Sequence, residues 1–361
     1  MKRYLIMAVA VILAAAMLIP VNAGALSAES SILVDASTGR VLFERNADAQ
    51  SLIASTTKIM TALLICEQCN VLDRMRIPKE AVGIEGSSMY LKEGEVYTLQ
   101  ELLYGLMLSS GNDAATALAI YCGGTVEGFA QLMNDKAAQL GMKDSHFVNP
   151  HGLDAPEHYS TARDLGILAA YAMADPIFRM TVSTKTVRIG QRTLQNHNKL
   201  LWQVEGANGV KTGYTKAAGR ILVSGASRGG RQLIAVTINA PDDWSDHKQL
   251  LEQGFSQFAL RQILQAGEPV GQAEVAGGQA GTVTLLCGED FIYSLAEGES
   301  VSLQLPGQGF IYAPVAEGQS AGYAHVLVDG APVGKLQLVY GSTVERQEDP
   351  KRSFLQRLFG E

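Results

Sequence analysis

The stretch Ala54-Ser55-Thr56-Thr57-Lys58-Ile59-Met60 predicts the start of a helix, because it opens an apolar run that extends to Ile65. Residues three positions apart lie on the same face of a helix, so the Lys58 amine can reach the Ser55 hydroxyl. A serine hydroxyl becomes a good nucleophile when a neighbouring base takes its proton. A lysine is such a base only where burial or nearby cations lower its pKa. Ser-x-x-Lys alone is weak evidence, so the rest of the chain must supply the partners.

Length and composition indicate a globular protein with one large domain or two. The chain has 361 residues, a hydrophobic fraction of 47% and a net charge of −7. An acidic chain without a basic stripe argues against a nucleic-acid partner. No residue spacing is typical of a metal site, and nothing implies a cofactor.

The first residues have the pattern of an export signal. Lys2 and Arg3 precede an apolar run, Leu5 to Ile19, which Pro20 ends. We expect a signal peptide over residues 1–23, cleaved after Ala23 or Ala25. The alternative is an uncleaved membrane anchor, but the run is shorter than a spanning helix requires. We therefore expect an exported, extracytoplasmic protein.

The order of predicted elements indicates an α/β fold. Two N-terminal strands form a hairpin, a mostly helical block covers residues 55–180, and further strands follow at 209–214, 220–226 and 232–239. A last helix is predicted from His247 to Leu264. The pattern predicts one layered domain, over residues 24–264, whose sheet combines the hairpin with the later strands.

The composition changes after Ala266, where glycines and short alternating segments predict a small all-β domain over residues 268–341. Residues 342–361 read as a linker and a short basic tail. Four apolar residues of this tail share one helical face: Phe354, Leu355, Leu358 and Phe359. Residues 351–361 are therefore a candidate membrane-surface anchor, which would hold the protein at the outer face of the cytoplasmic membrane. The alternative is a frayed terminus.

The spacing of the cysteines does not indicate a pattern of disulfide bonds. Cys66 and Cys69 form a Cys-x-x-Cys at a helix end, outside the context of a redox motif. Cys122 and Cys287 are far apart in sequence, and nothing pairs them. We expect packed or incidental thiols.

Two further tripeptides complete a constellation with Ser55 and Lys58. Ser110-Gly111-Asn112 lies on a turn between predicted helices, and Lys211-Thr212-Gly213 lies near the end of a strand, where glycine lets a substrate backbone approach. Each is the only match to its pattern in the chain. A second Ser-x-x-Lys, Ser245 to Lys248, comes after Lys-Thr-Gly and among acidic residues, so we discard it.

Together the three motifs resemble those of the D-alanyl-D-alanine carboxypeptidases, which are low-molecular-weight penicillin-binding proteins. The supporting stretches are 86–91, 105–115, 149–153 and 209–215. The resemblance is strong over residues 28–265. It implies a β-lactamase/transpeptidase-like catalytic domain, with an antiparallel sheet flanked by helices and a helical subdomain, followed by a small all-β domain. It also implies a serine peptidase that removes the terminal D-alanine from peptidoglycan stem peptides ending in D-Ala-D-Ala, with β-lactams as covalent inhibitors.

The resemblance further implies roles for the motif residues. Ser55 matches the nucleophile, Lys58 its general base and Ser110 the proton relay. The expected substrate-binding residues are Asn112, Lys211, Thr212, Gly213 and Tyr214. Among these, Asn112 holds the substrate amide, Lys211 and Thr212 face its carboxylate, and the backbone N–H groups of Ser55 and Tyr214 form the oxyanion hole.

One departure concerns the substrate carboxylate. Several family members carry an arginine shortly after the strand that follows Lys-Thr-Gly, whereas residues 241–248 contain none here. Carboxylate recognition then rests on Lys211 and Thr212, with Arg220 or Lys248 as possible helpers. Tyr214 stands where some relatives have histidine, which matters little if only its backbone takes part.

Three alternatives remain to be tested. A class A-like β-lactamase needs a deacylating glutamate, usually within Glu-x-x-x-Asn, and neither Glu157 nor Glu205 fits. An inert wall-binding protein would not need intact motifs. A Ser-His-Asp arrangement could use His151 with Asp154 or Asp164, but Lys58 already supplies a base, so we expect a structural role for His151.

Overall fold

The computed structural model describes residues 26–307 and 309–348; the expected signal peptide and the tail 351–361 lie outside these residues. The chain forms two compact units, the first ending at Phe258 and the second beginning at Ala259.

The first unit mixes strands and helices. Its strands are β1 (Ser30–Asp35), β2 (Val41–Arg45), β3 (Arg74–Arg76), β4 (Val96–Thr98), β5 (Thr186–Ile189), β6 (Arg192–Gln195), β7 (Ala207–Thr215), β8 (Gly219–Arg228) and β9 (Arg231–Ile238). Its α-helices are α1 (Lys58–Gln68), α2 (Leu99–Leu108), α3 (Asn112–Gly123), α4 (Val126–Leu140), α5 (Ala162–Ala172), α6 (Pro176–Ser183), α7 (Leu200–Gln203) and α8 (Asp243–Gln257).

A five-stranded antiparallel sheet, in the order β2-β1-β9-β8-β7, forms the centre of this unit. β1 and β9 are far apart in sequence, yet they pair from Ser30 opposite Ile238 to Asp35 opposite Leu233. The prediction that the N-terminal hairpin joins the later strands in one sheet is confirmed.

Helices cover both faces of the sheet. Gly166 of α5 packs against Ile32 and Val34, while Gly254 of α8 packs against Leu33. Successive side chains of a strand point to opposite faces, so these two helices lie on opposite sides of β1. This explains why every residue of β1 is buried.

Helix α1 is the central helix of the helical block. All of its residues from Lys58 to Ile65 are buried, and it contacts α2, α3, α4, α5 and α6. A helix that is apolar on all sides belongs in a core. The apolar run after Ser55 therefore places Lys58 at the buried start of this central helix.

The second unit is all β. Its strands are β10 (Phe258–Leu264), β11 (Pro269–Ala276), β12 (Thr282–Cys287), β13 (Phe291–Ala296), β14 (Val301–Gln304), β15 (Ile311–Tyr312), β16 (Ser320–Val328) and β17 (Ala331–Tyr340). Six of them form a sheet in the order β14-β16-β17-β12-β11-β15, while β10 pairs with β13.

The predicted helix from His247 to Leu264 is wrong at both ends. It begins at Asp243 and ends at Gln257, and residues 258–264 form β10 instead. The apolar residues of this segment fit both a helical and a strand periodicity. The segment is a strand because it pairs with β13, and Ile263 packs with Tyr293 and Leu295. The second unit thus begins at Ala259 rather than at 268, and its bridges continue to Arg346 rather than stopping at 341.

Candidate active site

Ser55 lies on a single 3-10 turn, Ala54–Thr57, directly before α1. Ala54 has a φ of 43°, a conformation that residues with a side chain rarely adopt. The Thr57 hydroxyl donates to Ala54 O at 2.9 Å and holds this turn. Ser55 is half-buried, while the residues around it are buried.

The Lys58 amine has three polar neighbours. Its Nζ lies 2.7 Å from Asn112 Oδ1, 2.7 Å from the His151 carbonyl oxygen and 2.9 Å from Ser55 Oγ. The first two groups only accept hydrogen bonds, so they occupy two N–H bonds of the amine. The third position of the nitrogen faces the serine hydroxyl.

The environment of Lys58 favours the neutral amine. The side chain is fully buried. Burial, together with the nearby charge of Lys211, holds the pKa of Lys58 well below its usual 10.5, against the opposing effect of Asp113. In the neutral form, the lone pair of Nζ is free to accept the Ser55 proton.

Ser110 and Asn112 flank the turn between α2 and α3. Ser110 has a left-handed φ of 59° and lines the same cleft as Ser55. Asn112 begins α3; its Nδ2 donates to Glu85 O at 2.5 Å, and its backbone N donates to Ser87 O at 2.7 Å. The orientation of the amide, with Oδ1 toward Lys58, is therefore fixed from both sides.

Asp113 was missed by sequence reasoning. Its carboxylate accepts from Ser88 Oγ at 2.6 Å, Met89 N at 3.0 Å and Leu91 N at 2.9 Å. It pins segment 86–91 beside the Ser110 turn. The available signal was an acidic residue directly after Ser-Gly-Asn, in the first turn of a helix where anions are favoured.

The edge of β7 forms the opposite wall. A methyl group at Gly213 would lie only 3.2 Å from Ile53 O and 3.3 Å from Ser55 N, so glycine lets β7 approach the Ser55 turn closely. Thr212 and Tyr214 line the cleft, and Tyr214 is 64% exposed.

Lys211 precedes these residues and is buried, with its Nζ donating to Thr212 O at 2.9 Å. Burial lowers the pKa of Lys211 to about 7. Its charge therefore titrates close to neutral pH in the free protein.

The loop 149–153 closes the site from behind. Gly152 has a φ of +87°, and any side chain there would collide with Ala54 O. His151 contributes its carbonyl oxygen to Lys58, while its ring Nδ1 accepts from Leu153 N at 3.2 Å. Burial, with Lys58 and His158 nearby, lowers the pKa of His151 to about 3.

The Ser-His-Asp alternative has no support in these contacts. Asp154 accepts from the Thr215 hydroxyl at 3.1 Å. Asp164 accepts from Asp144 N at 2.9 Å and from the Ser145 hydroxyl at 2.7 Å. Both carboxylates therefore accept hydrogen bonds from groups other than the His151 ring.

His158 supports the Ser55 turn. Its Nδ1 accepts from Val148 N at 3.2 Å, so Nε2 carries the proton and donates to Thr57 Oγ1 at 2.7 Å. Thr57 in turn donates to Ala54 O. Burial, with His146 nearby, lowers the pKa of His158 to about 4, so the ring is neutral at pH 7.

The cleft itself has a volume of about 350 Å³. Its lining residues are Ser55, Ser87, Ser110, His197, Lys199, Thr212, Gly213, Tyr214, Arg220, Asp243 and Trp244. The expected site residues Asn112, Lys58 and Lys211 lie directly behind this surface. None of the described lining residues is a glutamate, and Glu157 and Glu205 are exposed elsewhere.

Of the two candidate helpers, only Arg220 lines the cleft. It lies opposite Tyr214 in the β7–β8 pair, and its guanidinium donates to both Asp243 oxygens, at 2.7 and 2.9 Å. Lys248 is exposed on α8 and does not line the cleft.

Within the described residues, no group of three or more His, Cys, Asp or Glu side chains is arranged to hold a metal ion. Over the same part of the chain, no single helix has both the length and the apolar composition of a membrane span; α5 and α6 reach it only as a pair bent by 108°.

Comparison with known proteins assigns both units. A family model described as D-alanyl-D-alanine carboxypeptidase matches residues 17–242, and a model of the C-terminal domain of penicillin-binding protein 5 matches residues 258–346. The D-alanyl-D-alanine carboxypeptidase DacF of Bacillus subtilis (strain 168) is 32% identical over 354 residues, covering 92% of this chain and 90% of DacF.

DacA of Escherichia coli (strain K12) is 30% identical over 352 residues, covering 92% of this chain and 86% of DacA. Penicillin binding protein 5 from Haemophilus influenzae has a similar structure, with a TM-score of 0.78 and 29% identity over 89% of this chain and 98% of that chain. This chain therefore belongs to the D-alanyl-D-alanine carboxypeptidase family of penicillin-binding proteins.

Proposed function

We propose that this protein removes the terminal D-alanine from peptidoglycan stem peptides through an ester on Ser55. Family membership gives the cell-wall carboxypeptidase activity; the roles of individual residues are our assignment. The main support for this assignment is the environment of the Lys58 amine. The amine is buried, and two of its three polar contacts are with groups that can only accept hydrogen bonds. The third contact is with Ser55 Oγ.

In the acylation step, Ser55 Oγ attacks the carbonyl carbon of the penultimate D-alanine while its proton moves to Lys58 Nζ. The backbone N–H groups of Ser55 and Tyr214 stabilise the oxyanion, an effect that is typically worth about 3–4 kcal/mol per donor. Ser110 relays the proton to the leaving D-alanine nitrogen, and the peptide bond breaks. Asn112 holds the substrate amide during this step.

In the deacylation step, water attacks the Ser55 ester and gives up a proton to Lys58. The acyl chain leaves with the new carboxylate, and Ser55 recovers its hydroxyl. β-Lactams acylate the same serine, and without a deacylating glutamate in the cleft their adduct should persist. This separates the proposal from a class A-like β-lactamase.

The terminal carboxylate of the substrate needs a cation. Lys211 titrates near neutral pH, so its charge alone is a weak anchor. Arg220 lines the cleft together with Thr212 and Trp244, and a guanidinium presents donors whose geometry matches a carboxylate. We assign Arg220 as the group that completes carboxylate recognition together with Lys211 and Thr212.

The test is intact-protein mass spectrometry with benzylpenicillin, followed by peptide mapping. We expect one long-lived adduct, on Ser55, that is absent from Ser55→Ala. Ser245→Ala, which alters the second Ser-x-x-Lys, is the matched control and should label normally. A label elsewhere, rapid turnover of the drug, or D-alanine release by Ser55→Ala would overturn the assignment.

Proteins of this family work outside the cytoplasm. We propose in addition that residues 351–361 attach the protein to the membrane surface, because the sequence spacing of four apolar residues in this segment would place them on one face of a helix. A chain that ends at Glu348 keeps every described element. It should leave the membrane fraction yet remain active on a soluble peptide; unchanged membrane association would point to the N-terminal segment instead.

A further inference from the structure

Three of the four cysteines lie at the far end of the helix pair α1 and α3. Cys66 is in the last turn of α1, Cys69 caps that helix, and Cys122 is in the last turn of α3. All three are half-buried, whereas Cys287 is buried in the second unit. Cys122 Sγ is 3.7 Å from Oε1 of Gln68, the residue before Cys69.

Cys122 therefore lies beside the end of α1, and the Cys69 and Cys122 thiols are near enough that each shifts the pKa of the other. Tyr121 OH also donates to Asp73 Oδ2 at 3.0 Å and ties the same chain segments. Cys66 is a poorer partner for Cys69. Residues three apart on a helix have Cβ atoms about 5–6 Å apart, and a disulfide spans about 3.5–4.5 Å.

We propose that Cys69 and Cys122 form a disulfide outside the cytoplasm, and that this bond fixes the far ends of α1 and α3. The near ends are already joined, because Lys58 Nζ donates to Asn112 Oδ1 at 2.7 Å. The two helices thus start side by side at the cleft and end side by side at the thiols. An extracytoplasmic location supplies the oxidising conditions in which disulfides persist.

The bond forms by two thiol–disulfide exchanges with an external disulfide. The thiolate of one cysteine attacks a sulfur of the external disulfide and releases one external thiol. The second cysteine thiolate then attacks the mixed disulfide and releases the other. Two protein thiols are oxidised, one disulfide is reduced to two thiols, and their protons are conserved.

Burial makes this exchange slow in the folded protein. It raises the pKa of the Cys69 thiol to about 12 and raises that of Cys122 as well, so few thiolates are present at pH 7. The bond should therefore form during folding after export, or slowly at alkaline pH.

The test uses the full chain, incubated with oxidised glutathione at pH 9, denatured and alkylated with iodoacetamide. The expected product is lighter than the reduced protein by two hydrogens before alkylation and takes up two alkyl groups instead of four. A non-reducing peptide map should show Cys69 joined to Cys122, with Cys66 and Cys287 alkylated. Four alkylated cysteines, glutathione adducts alone, or a cross-link through Cys66 would overturn the proposal.

Variants separate the bond from general effects of oxidation. The cross-link should raise the melting temperature by roughly 5–15 °C relative to protein treated with dithiothreitol, because it closes a loop of about 50 residues in the unfolded chain. Cys122→Ser should abolish both the cross-link and this difference, while Cys287→Ser should keep both. Equal melting temperatures of oxidised and reduced wild type would refute the claim that the bond fixes the helices. Benzylpenicillin labelling of Ser55 serves as the folding control.

Discussion

At the scale of single residues, the site depends on burial more than on proximity. Ser55 and Lys58 could be paired from their spacing, but a lysine on an exposed helix would stay protonated and could not accept a proton. The surrounding helices bury Lys58 completely, and Lys211 adds a second positive charge nearby. Both effects disfavour the ammonium form, which turns an ordinary side chain into a candidate base.

The pH dependence of acylation follows from the two lysines. Acylation requires neutral Lys58, so its rate should rise with pH through the lowered pKa of Lys58. Binding of a carboxylate substrate uses charged Lys211, so kcat/KM should fall as the pH passes about 7. Measured profiles should be bell-shaped for D-Ala-D-Ala peptides. The falling limb should vanish for the matching peptide amide; an identical fall for both substrates would contradict the role of Lys211.

Arg220 should determine affinity for the substrate carboxylate. Because removing Arg220 alone would leave buried Asp243 unpaired, the test is the double variant Arg220→Gln with Asp243→Asn. A charged hydrogen bond typically contributes about 1.5–3 kcal/mol, so kcat/KM for a D-Ala-D-Ala peptide should fall about 10- to 100-fold. Lys248→Gln should have no effect. A larger loss with Lys248→Gln than with the double variant would reverse the assignment.

His158 should position Ser55 through Thr57. Glutamine can donate to Thr57 Oγ1 and accept from Val148 N, so His158→Gln should retain most of the acylation rate. His158→Leu leaves both groups without a partner and should slow acylation about 5- to 100-fold, from a cost of about 1–3 kcal/mol. Stopped-flow rates with benzylpenicillin, measured well below the melting temperature of each variant, test this. Equal rates for the two variants would show that His158 only fills space.

At the scale of elements, ion pairs of different burial connect the sheet to its neighbours. Arg231 of β9 donates to Asp35 of β1 at 2.6 Å and also to the Gly254 and Phe258 carbonyls at the end of α8. Its side chain is 6% exposed and that of Asp35 is fully buried. By contrast, Arg228 of β8 pairs with Glu252, whose side chain is 58% exposed.

This difference predicts unequal effects on stability. Arg231→Ala removes one member of a buried ion pair and should lower the free energy of unfolding by about 3–5 kcal/mol. Arg228→Ala breaks the solvent-exposed ion pair with Glu252 and should lower the free energy of unfolding by less than about 1 kcal/mol. Urea unfolding monitored by circular dichroism compares the two. Similar decreases in the free energy of unfolding would mean that burial does not determine how much these ion pairs stabilise the protein.

At the scale of the whole molecule, buried neutral histidines make the first unit sensitive to acid. His247 is a buried residue of α8, and its ring hydrogen-bonds Ser224 Oγ of β8 at 2.6 Å and Thr237 Oγ1 of β9 at 2.9 Å. Burial lowers the pKa of His247 to about 3, and that of His158 to about 4. The unfolded chain protonates these rings near pH 6.5, so it binds more protons than the folded chain at mildly acid pH.

The free energy of unfolding should therefore fall as the pH drops from 6.5 toward 4, by up to about 1.4 kcal/mol per pH unit for each such histidine. His247→Gln removes one titrating group and should reduce this slope by about that amount. His325→Gln, which changes an exposed histidine of the second unit, is the control. Urea titrations at several pH values give the slope; an unchanged slope in His247→Gln would show that this ring does not contribute.

The sequence by itself determined the family, the order of the three motifs and the joining of the N-terminal hairpin to the later strands. These depend on local patterns: a Ser-x-x-Lys before an apolar run, tripeptides that each occur once, and alternating apolar residues. It also indicated Arg220 and Lys248 as candidates without deciding between them. Period alone could not decide whether residues 258–264 form a helix or a strand.

The tertiary structure decided what depends on contacts between distant segments. Pairing with β13 made residues 258–264 a strand. The fold brought Arg220 into the cleft and left Lys248 on the surface. It connected His158 to the Ser55 turn and brought Cys122 beside the end of α1, where Cys69 lies. It also gave Lys58 the His151 carbonyl as a partner. None of these contacts produces a periodic pattern in the sequence. Each forms only when folding brings together segments that are far apart in the chain.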